Sequence, residues 1–260
     1  MTTASRSRLF RSALTLILGL SLMMASLSVG AQPREKKDPY LTDDDIELIK
    51  VYEVDLEAKD PPRITIPRDE LRNFLKEFQE DDRIPRGKRE QEKWLRLDGH
   101  KQLPLLFQLR ARDYYKHVRV RSQIESLRAW GTIHRRYVLG YFQPTFGSGK
   151  IPSLFLFPQG RDSEKIEMTN FYILTQVTID GKPLIDRNVP EESLLLQWGL
   201  PREEAKFPAP EIEGWQPEFK DTKDKQFVEM ANWVKSLISA NQGSSLGIEY
   251  KIPQHPKPRN

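Results

Sequence analysis

The chain has 260 residues, with 41 Lys and Arg against 37 Asp and Glu, which gives a formal net charge of +4. It contains no cysteine and only four histidines. The lack of cysteine excludes disulfides, a cysteine nucleophile, thiolate metal sites, thioether-linked haem and a lipid anchor on an N-terminal cysteine. Any chemistry of the chain must therefore come from other side chains.

The first 31 residues have the pattern of a secretory signal peptide. A basic stretch over residues 1–11 precedes an apolar run from Ala13 to Leu27, and small residues lead to a cleavage point after Ala31. An uncleaved anchor is the alternative, but the run is shorter than the roughly 20 residues that span a bilayer. We expect the mature chain to be exported, periplasmic or extracellular, and without a membrane span.

The mature chain is predicted to be mainly α, with a small α+β part towards its N-terminus. Residues 32–44 form a flexible lead-in, and Thr42 is expected to cap a helix with acidic residues in its first turn. Region 45–120 is predicted to be helical, with two short strands near 50–66. Its helices are expected from Pro67, over 88–97 and over 105–115, the first with one apolar face formed by Leu71, Phe74, Leu75 and Phe78.

Region 121–242 is predicted to be a second helical part. We expect a helix from Gly131 to about Phe142, a loop over 144–152, and a helix from Asn170 that leads into a hairpin. A short helix over 191–198 is expected to end at Gly199, and a long helix over 222–240 follows a proline-rich loop. Residues 243–260 are predicted to be a disordered tail.

The distribution of charge predicts a docking surface. Residues 35–80 hold fourteen acids and eight bases, whereas residues 101–136 hold nine bases and two acids. A basic segment with interleaved aromatic residues favours nucleic acid in a cytoplasmic protein, but we expect no nucleic acid for an exported one. Pairing with acids of the same chain, docking of an acidic, exported partner protein and docking of an anionic headgroup all remain open. The candidate docking residues are Arg110, Arg112, Lys116, Arg119 and Arg121.

No recognisable catalytic or metal-binding motif is present, so no catalytic residue and no metal site is assigned. There is no Gly-x-Ser-x-Gly and no His-Glu-x-x-His, and three of the histidines are spaced 17 residues apart, which is not a ligand spacing. The acidic residues near Asp43 lack the glycine and final glutamate of a calcium loop. An exported hydrolase with a carboxylate site stays an alternative, without assigned residues.

Several segments resemble a family of exported bacterial cytochrome c-like proteins. The resemblance extends over about 45–240 and rests on the order and spacing of segments 51–56, 61–64, 127–130, 133–142, 169–174 and 193–203. It implies a cytochrome c-like helical domain over 121–242. In that family a helix ending in Tyr-Val leads into a Cys-x4-Cys-His-Gly-Gly haem attachment sequence.

The resemblance also implies that this chain has lost covalent haem attachment. Phe142 and Gly147 occupy the two cysteine positions and Ser148 the position of the proximal histidine, whereas Gly149 is kept. The loop over 206–210, where a distal ligand is expected, contains no His or Met. No cofactor is therefore expected, and a non-catalytic binding or structural role follows. The alternative is an electron-transfer or haem-sensing protein with non-covalently bound haem, for which His134 is the best candidate axial ligand.

Overall fold

The computed structural model describes residues 38–237 and 246–255. Across these residues the chain is mainly helical, with two small antiparallel sheets, which confirms the mainly α prediction at that level. The described residues belong to one compact unit. The predicted signal peptide, residues 1–31, lies outside the described residues, as does the lead-in up to residue 37.

The first helix, α1 (Asp43–Tyr52), begins as the sequence predicts. The Thr42 hydroxyl accepts a hydrogen bond from the Asp45 amide, and the Asp45 side chain accepts one from the Thr42 amide, which completes a capping box. Leu41 precedes it and is buried, so the end of the predicted flexible lead-in is anchored in the core. The acidic first turn is thus explained by helix capping.

The prediction of two strands near 50–66 is half wrong. Val51 lies in the last turn of α1, and of the predicted pair only β1 (Ile64–Thr65) is a strand; it pairs antiparallel with β2 (Arg119–Val120). A short apolar run does not distinguish a strand from a buried helix end, which is why the pattern misled. The pairing nevertheless joins two segments that are more than 50 residues apart in sequence.

Four helices lie between these strands: α2 (Arg68–Glu77), α3 (Gly87–Trp94), α4 (Gly99–Gln108) and α5 (Arg112–Tyr115). The predicted apolar face of the first is confirmed, because Leu71, Phe74 and Leu75 are buried. The single helix predicted over 105–115 is divided in two. Arg110 adopts a left-handed conformation with φ of 51°, which interrupts the helical hydrogen bonds between α4 and α5.

The helix predicted from Gly131 begins earlier and has an unusual continuation. Helix α6 (Glu125–Ile133) leads directly into a π-helix over His134–Gly147, so the loop predicted over 144–152 begins four residues later than expected. The π-helix contains Pro144. Long π-helices are rare, and no periodicity of the sequence indicated one.

The remaining elements are α7 (Ser163–Gln176), the hairpin of β3 (Thr178–Ile179) and β4 (Lys182–Pro183), a 3₁₀ turn over Pro190–Glu192, α8 (Leu194–Gln197) and α9 (Lys225–Ser236). The hairpin is confirmed, and its turn residues Asp180 and Gly181 both have positive φ. Helix α7 starts seven residues before the predicted Asn170. Helix α9 is shorter than predicted, since Asp224 caps its start and Leu237 is extended.

The apolar side chains form two clusters. One contains Val51, Tyr52 and the apolar residues of α2–α5; the other contains those of α6–α9 and the π-helix, together with Ile46 and Ile49. Helix α1 therefore contributes to both. An ion pair between Glu53 and Arg187, 2.7 Å apart, also joins them, because Glu53 ends α1 and Arg187 follows the hairpin.

The prediction of a disordered tail over 243–260 is wrong for residues 246–255. The Tyr250 hydroxyl donates a hydrogen bond to the Pro39 carbonyl, and its ring packs edge-on against Tyr172. The His255 ring packs on Phe155, and its Nε2 is 2.9 Å from the Leu154 carbonyl oxygen. These ring contacts fix a segment whose polar, proline-rich composition gave no sign of packing.

Candidate functional site

The two positions that the resemblance assigns to haem cysteines lie on one row of the π-helix. Because a π-helix bonds residue i to residue i+5, Phe142 and Gly147 stack above each other and face the core, where both are buried. Ser148 follows at the surface, and its hydroxyl donates to the Pro144 carbonyl at 3.0 Å. The structure thus brings Phe142 and Gly147 together and places Ser148 outside the core.

Aromatic rings fill the core beside these positions. The centroid of the Phe142 ring is 4.9 Å from that of Phe146, and the Phe146 centroid is 5.0 Å from that of Trp198. Tyr137 stacks on Phe219 at 5.3 Å, and its hydroxyl donates to the Leu195 carbonyl. We call Tyr137, Phe142, Phe146, Trp198 and Phe219 the aromatic cluster. Because close-packed rings occupy the space at the attachment positions, these residues do not fit a haem there.

A glycine next to the aromatic cluster fits only because it has no side chain. A Cβ at Gly199 would lie 2.4 Å from Cε2 of Phe219 and 2.8 Å from the Tyr137 hydroxyl. Gly199 was predicted as a helix cap, but it does not have the positive φ of a left-handed cap. Its actual role is to let the backbone after α8 approach two rings of the cluster.

Gly147→Ala is expected to destabilise the fold, whereas Gly140→Ala, on the same π-helix, is not. A Cβ at Gly147 would lie 2.9 Å from the Cβ of Leu156, so neighbouring atoms must move; a Cβ at Gly140 meets nothing within 4 Å. Overpacking costs about 1–3 kcal/mol. Thermal unfolding of both variants, followed by circular dichroism, checks this, and equal melting temperatures would contradict it.

His134, the candidate axial ligand, is buried at the start of the π-helix with its ring against Trp130. Its Nε2 lies 3.0 Å from Nδ2 of Asn170 and accepts a hydrogen bond from that amide. Asn170 is itself fixed, because its side chain exchanges two 2.9 Å hydrogen bonds with the backbone of Phe157. Nε2 of His134, the nitrogen that would ligate a haem iron, therefore already accepts a hydrogen bond from Asn170.

Burial, reinforced by the charge of Arg135, lowers the pKa of His134 to about 4. A histidine in an unfolded chain has a pKa near 6.5. Between about pH 6.5 and pH 4, the unfolded state therefore binds more protons than the folded state, and the free energy of unfolding falls as the pH falls. His134 is expected to contribute a loss of about 2 kcal/mol between pH 7.5 and pH 5.0. Urea titrations should show this loss in the wild type and in His100→Gln, and a smaller one in His134→Gln; identical losses in all three would contradict it.

The five predicted docking residues lie in and around helix α5 and strand β2. Arg110, Arg112 and Lys116 are exposed around α5, and Arg119 is engaged with Asp44 of α1, its Nη2 3.0 Å from the carboxylate. Arg121 directly follows β2; its Nε donates to the Thr65 hydroxyl, and its side chain lines a groove.

That groove has a volume of about 570 Å³ and lies between α1, the segment before α6, α6 itself and α7. Arginines line one side and two carboxylates of α7 the other, over an apolar floor. We call it the arginine groove; its charged residues are Arg121, Arg128, Arg135, Lys50, Glu164 and Glu167, and its apolar ones are Val120, Ile124, Leu127 and Met168.

The carboxylate of Glu167 is partly buried in the groove. Partial burial raises its pKa, the Arg135 charge counteracts this, and Glu164 adds a smaller upward contribution. The backbone carbonyl of Glu167 accepts a hydrogen bond from Nε1 of Trp130, which fixes α7 against α6. The groove therefore presents charges of both signs between α6 and α7, an arrangement that suits binding of a charged ligand.

The sequence identified one arginine of this groove and missed two. Arg128 and Arg135 are seven residues apart, and residues seven apart lie near one face of a helix, so this spacing was an available signal for these two. Lys50, Glu164 and Glu167 come from other helices, and their approach depends on the tertiary fold.

No protein-family model, curated protein or solved structure matches the chain. The resemblance to cytochrome c-like proteins and the export of the chain therefore stay predictions. Within residues 38–237 and 246–255, no group of three or more His, Asp and Glu side chains is arranged to hold a metal ion. In the same residues, no helix has both the length and the apolar character needed to cross a bilayer.

Proposed function

We propose that this protein is an exported, non-catalytic binding module, built on a cytochrome c-like helical scaffold that has lost haem. One observation carries the proposal: Phe142 and Phe146, with Trp198, fill the core at the positions that the resemblance assigns to haem attachment. A scaffold whose cofactor space is filled by its own rings keeps its surface as the functional part. The basic residues of segment 101–136 supply a surface for an acidic exported partner protein.

Two alternatives have less support. Non-covalent haem would require His134 to give up its hydrogen bond with Asn170 and neighbouring side chains to make room for the ring system. An exported hydrolase would have to use Glu164 and Glu167, one turn apart on α7, with Lys50 bound to the first and Arg135 beside the second. Burial raises the pKa of Glu167, but among the described residues that line the groove there is no histidine to act with it.

The proposal is tested by capturing the partner with charge-reversed variants. The immobilised mature chain, residues 32–260, is incubated with the exported fraction of its own cells at low salt. We expect one acidic protein to be retained, to elute as salt is raised, and to be lost when Arg110, Arg112 and Arg121 are all replaced by Glu. Retention that is indifferent to these replacements and to salt would contradict the proposal.

A further inference from the structure

Arg63 and Arg121 lie opposite each other on the exposed face of the small sheet formed by β1 and β2. Ile64 and Val120 pair with each other in this sheet and are buried, so the neighbouring positions on both strands point to the other face. The Arg121 amide donates a hydrogen bond to the Arg63 carbonyl at 2.7 Å, which continues the antiparallel pairing by one residue. Residues that are directly opposed in this way have Cα atoms about 5.5 Å apart. The two exposed side chains therefore leave the sheet from neighbouring points.

Neither of these two arginines has a carboxylate partner. Within the part of the chain that the structure describes, no carboxylate oxygen lies within 4.0 Å of a guanidinium nitrogen of Arg63 or Arg121. Arg119, the third arginine of this face, differs, because its Nη2 lies 3.0 Å from the Asp44 carboxylate. Like charges directly opposite each other destabilise a sheet. Arg63 and Arg121, which we call the arginine pair, therefore place two positive charges together without a salt bridge to either.

Two hydroxyl groups border the arginine pair. The Thr65 hydroxyl accepts a hydrogen bond from Nε of Arg121 at 3.2 Å, and the Ser122 hydroxyl accepts one from the Arg63 amide at 2.9 Å. Because both hydroxyls act as acceptors in these contacts, each can donate its own proton to a ligand. The contact with Thr65 also holds the Arg121 side chain on the exposed face of the sheet. This face therefore offers guanidinium and hydroxyl donors to an anion.

The number and charge of these donors favour a phosphate group over a carboxylate. A carboxylate has only two oxygens and pairs with one guanidinium fork, whereas the three terminal oxygens of a phosphate monoester can accept hydrogen bonds from two. A phosphate monoester also carries a charge of about −1.5 to −2 at pH 7, which balances both charges of the arginine pair. A bound phosphate would thus relieve the repulsion between the two guanidinium groups.

We propose that the arginine pair binds inorganic phosphate or a phosphate monoester on the exposed face of the β1–β2 sheet, with the Thr65 and Ser122 hydroxyls at the edge of the site. This site goes beyond the proposed binding of an acidic protein and does not rest on it, because Arg63 lies outside segment 101–136. The phosphate is either free in solution or the headgroup of a lipid such as phosphatidic acid, and the same donors recognise both.

The test measures binding of inorganic phosphate and of phenyl phosphate to the mature chain by isothermal titration calorimetry at low salt. Acetate serves as the carboxylate control. The variants are Arg63→Gln, Arg121→Gln and Arg89→Gln, and their circular dichroism spectra report whether each is folded. Arg89 is the matched control because it is an exposed arginine of α3 that also has no carboxylate within 4.0 Å among the described residues.

We expect saturable binding of both phosphates at one site per chain, about tenfold weaker binding of acetate, and a loss of about tenfold or more in Arg63→Gln and in Arg121→Gln. Arg89→Gln should change the affinity less than about twofold. Phosphate should also raise the melting temperature of the wild type and of Arg89→Gln, but not that of Arg63→Gln. Lack of saturable phosphate binding, equal binding of acetate, or equal affinities in the three variants would overturn the proposal.

Vesicles of phosphatidylcholine, with and without phosphatidic acid, distinguish the two sources of phosphate. Cosedimentation that requires phosphatidic acid and both arginines, together with binding of phenyl phosphate, would support the proposal and assign the site to a lipid headgroup. Binding of the soluble phosphates without cosedimentation would support it and assign the site to a free phosphate. Cosedimentation without any binding of the soluble phosphates would overturn it, since the site must recognise the isolated group.

Discussion

Phe142→Ala is expected to lower the free energy of unfolding by about 3–5 kcal/mol, and Phe146→Ala by a similar amount. Both rings are fully buried, touch each other and pack on Trp198. Removing either leaves a cavity, and the surrounding structure is expected to relax into it only partly. Urea denaturation of the mature chain, followed by far-ultraviolet circular dichroism, measures the loss.

Phe155→Ala is the control, because Phe155 lies outside the aromatic cluster and is only partly buried. Phe155→Ala is expected to lower the free energy of unfolding clearly less than either cluster variant, because the removed ring buried less apolar surface. The two cluster variants should also be non-additive, since the rings are in contact. Losses below about 1 kcal/mol at both cluster positions would show that the rings do not replace a cofactor as core.

Breaking the ion pair between Glu53 and Arg187 is expected to cost about 3–5 kcal/mol in either single variant, Glu53→Gln or Arg187→Met. The side chains are only 2% and 10% exposed and lie 2.7 Å apart. The cost arises because the partner that remains keeps a buried charge. The double variant Glu53→Leu/Arg187→Met leaves no such charge, so it should be more stable than the sum of the single losses implies.

An exposed ion pair provides the comparison. Arg68 and Glu92 lie at a similar distance, 2.6 Å, but their side chains are 48% and 38% exposed. Arg68→Met should therefore cost no more than about 1 kcal/mol, because water and salt screen the pair. Equal costs for Arg68→Met and Arg187→Met would mean that the buried pair does not hold the two hydrophobic clusters together.

Local signals in the sequence were enough for several elements. The cap at Thr42, the apolar face of α2 and the hairpin at Asp180-Gly181 each depend on residues close in sequence, and the structure confirms them. The π-helix was missed because Pro144 and the glycines near it are typical of a loop. The packing of residues 246–255 was missed because it depends on rings, such as Tyr172, that are distant in sequence.

The candidate site was predictable only in part. The sequence identified Phe142, Gly147, Ser148 and His134 as positions of interest, but only the fold shows that the first two face a filled core. The sequence also located a basic segment. The groove, however, depends on the position of α7 against α6, where Nε1 of Trp130 donates a hydrogen bond to the Glu167 carbonyl. The distribution of charge in sequence therefore predicted a surface, and tertiary contacts decided which arginines share it.

The absorbance spectrum of the mature chain, residues 32–260, tests the loss of haem most directly. The protein is purified from a host competent in haem maturation, and the spectrum is recorded before and after haem is added to folded protein. We expect no Soret band in the purified protein and no saturable change in its absorbance when haem is added. The reason is that the aromatic cluster fills the core and Asn170 donates a hydrogen bond to His134. A Soret band that saturates at one haem per chain and disappears in His134→Ala would contradict it.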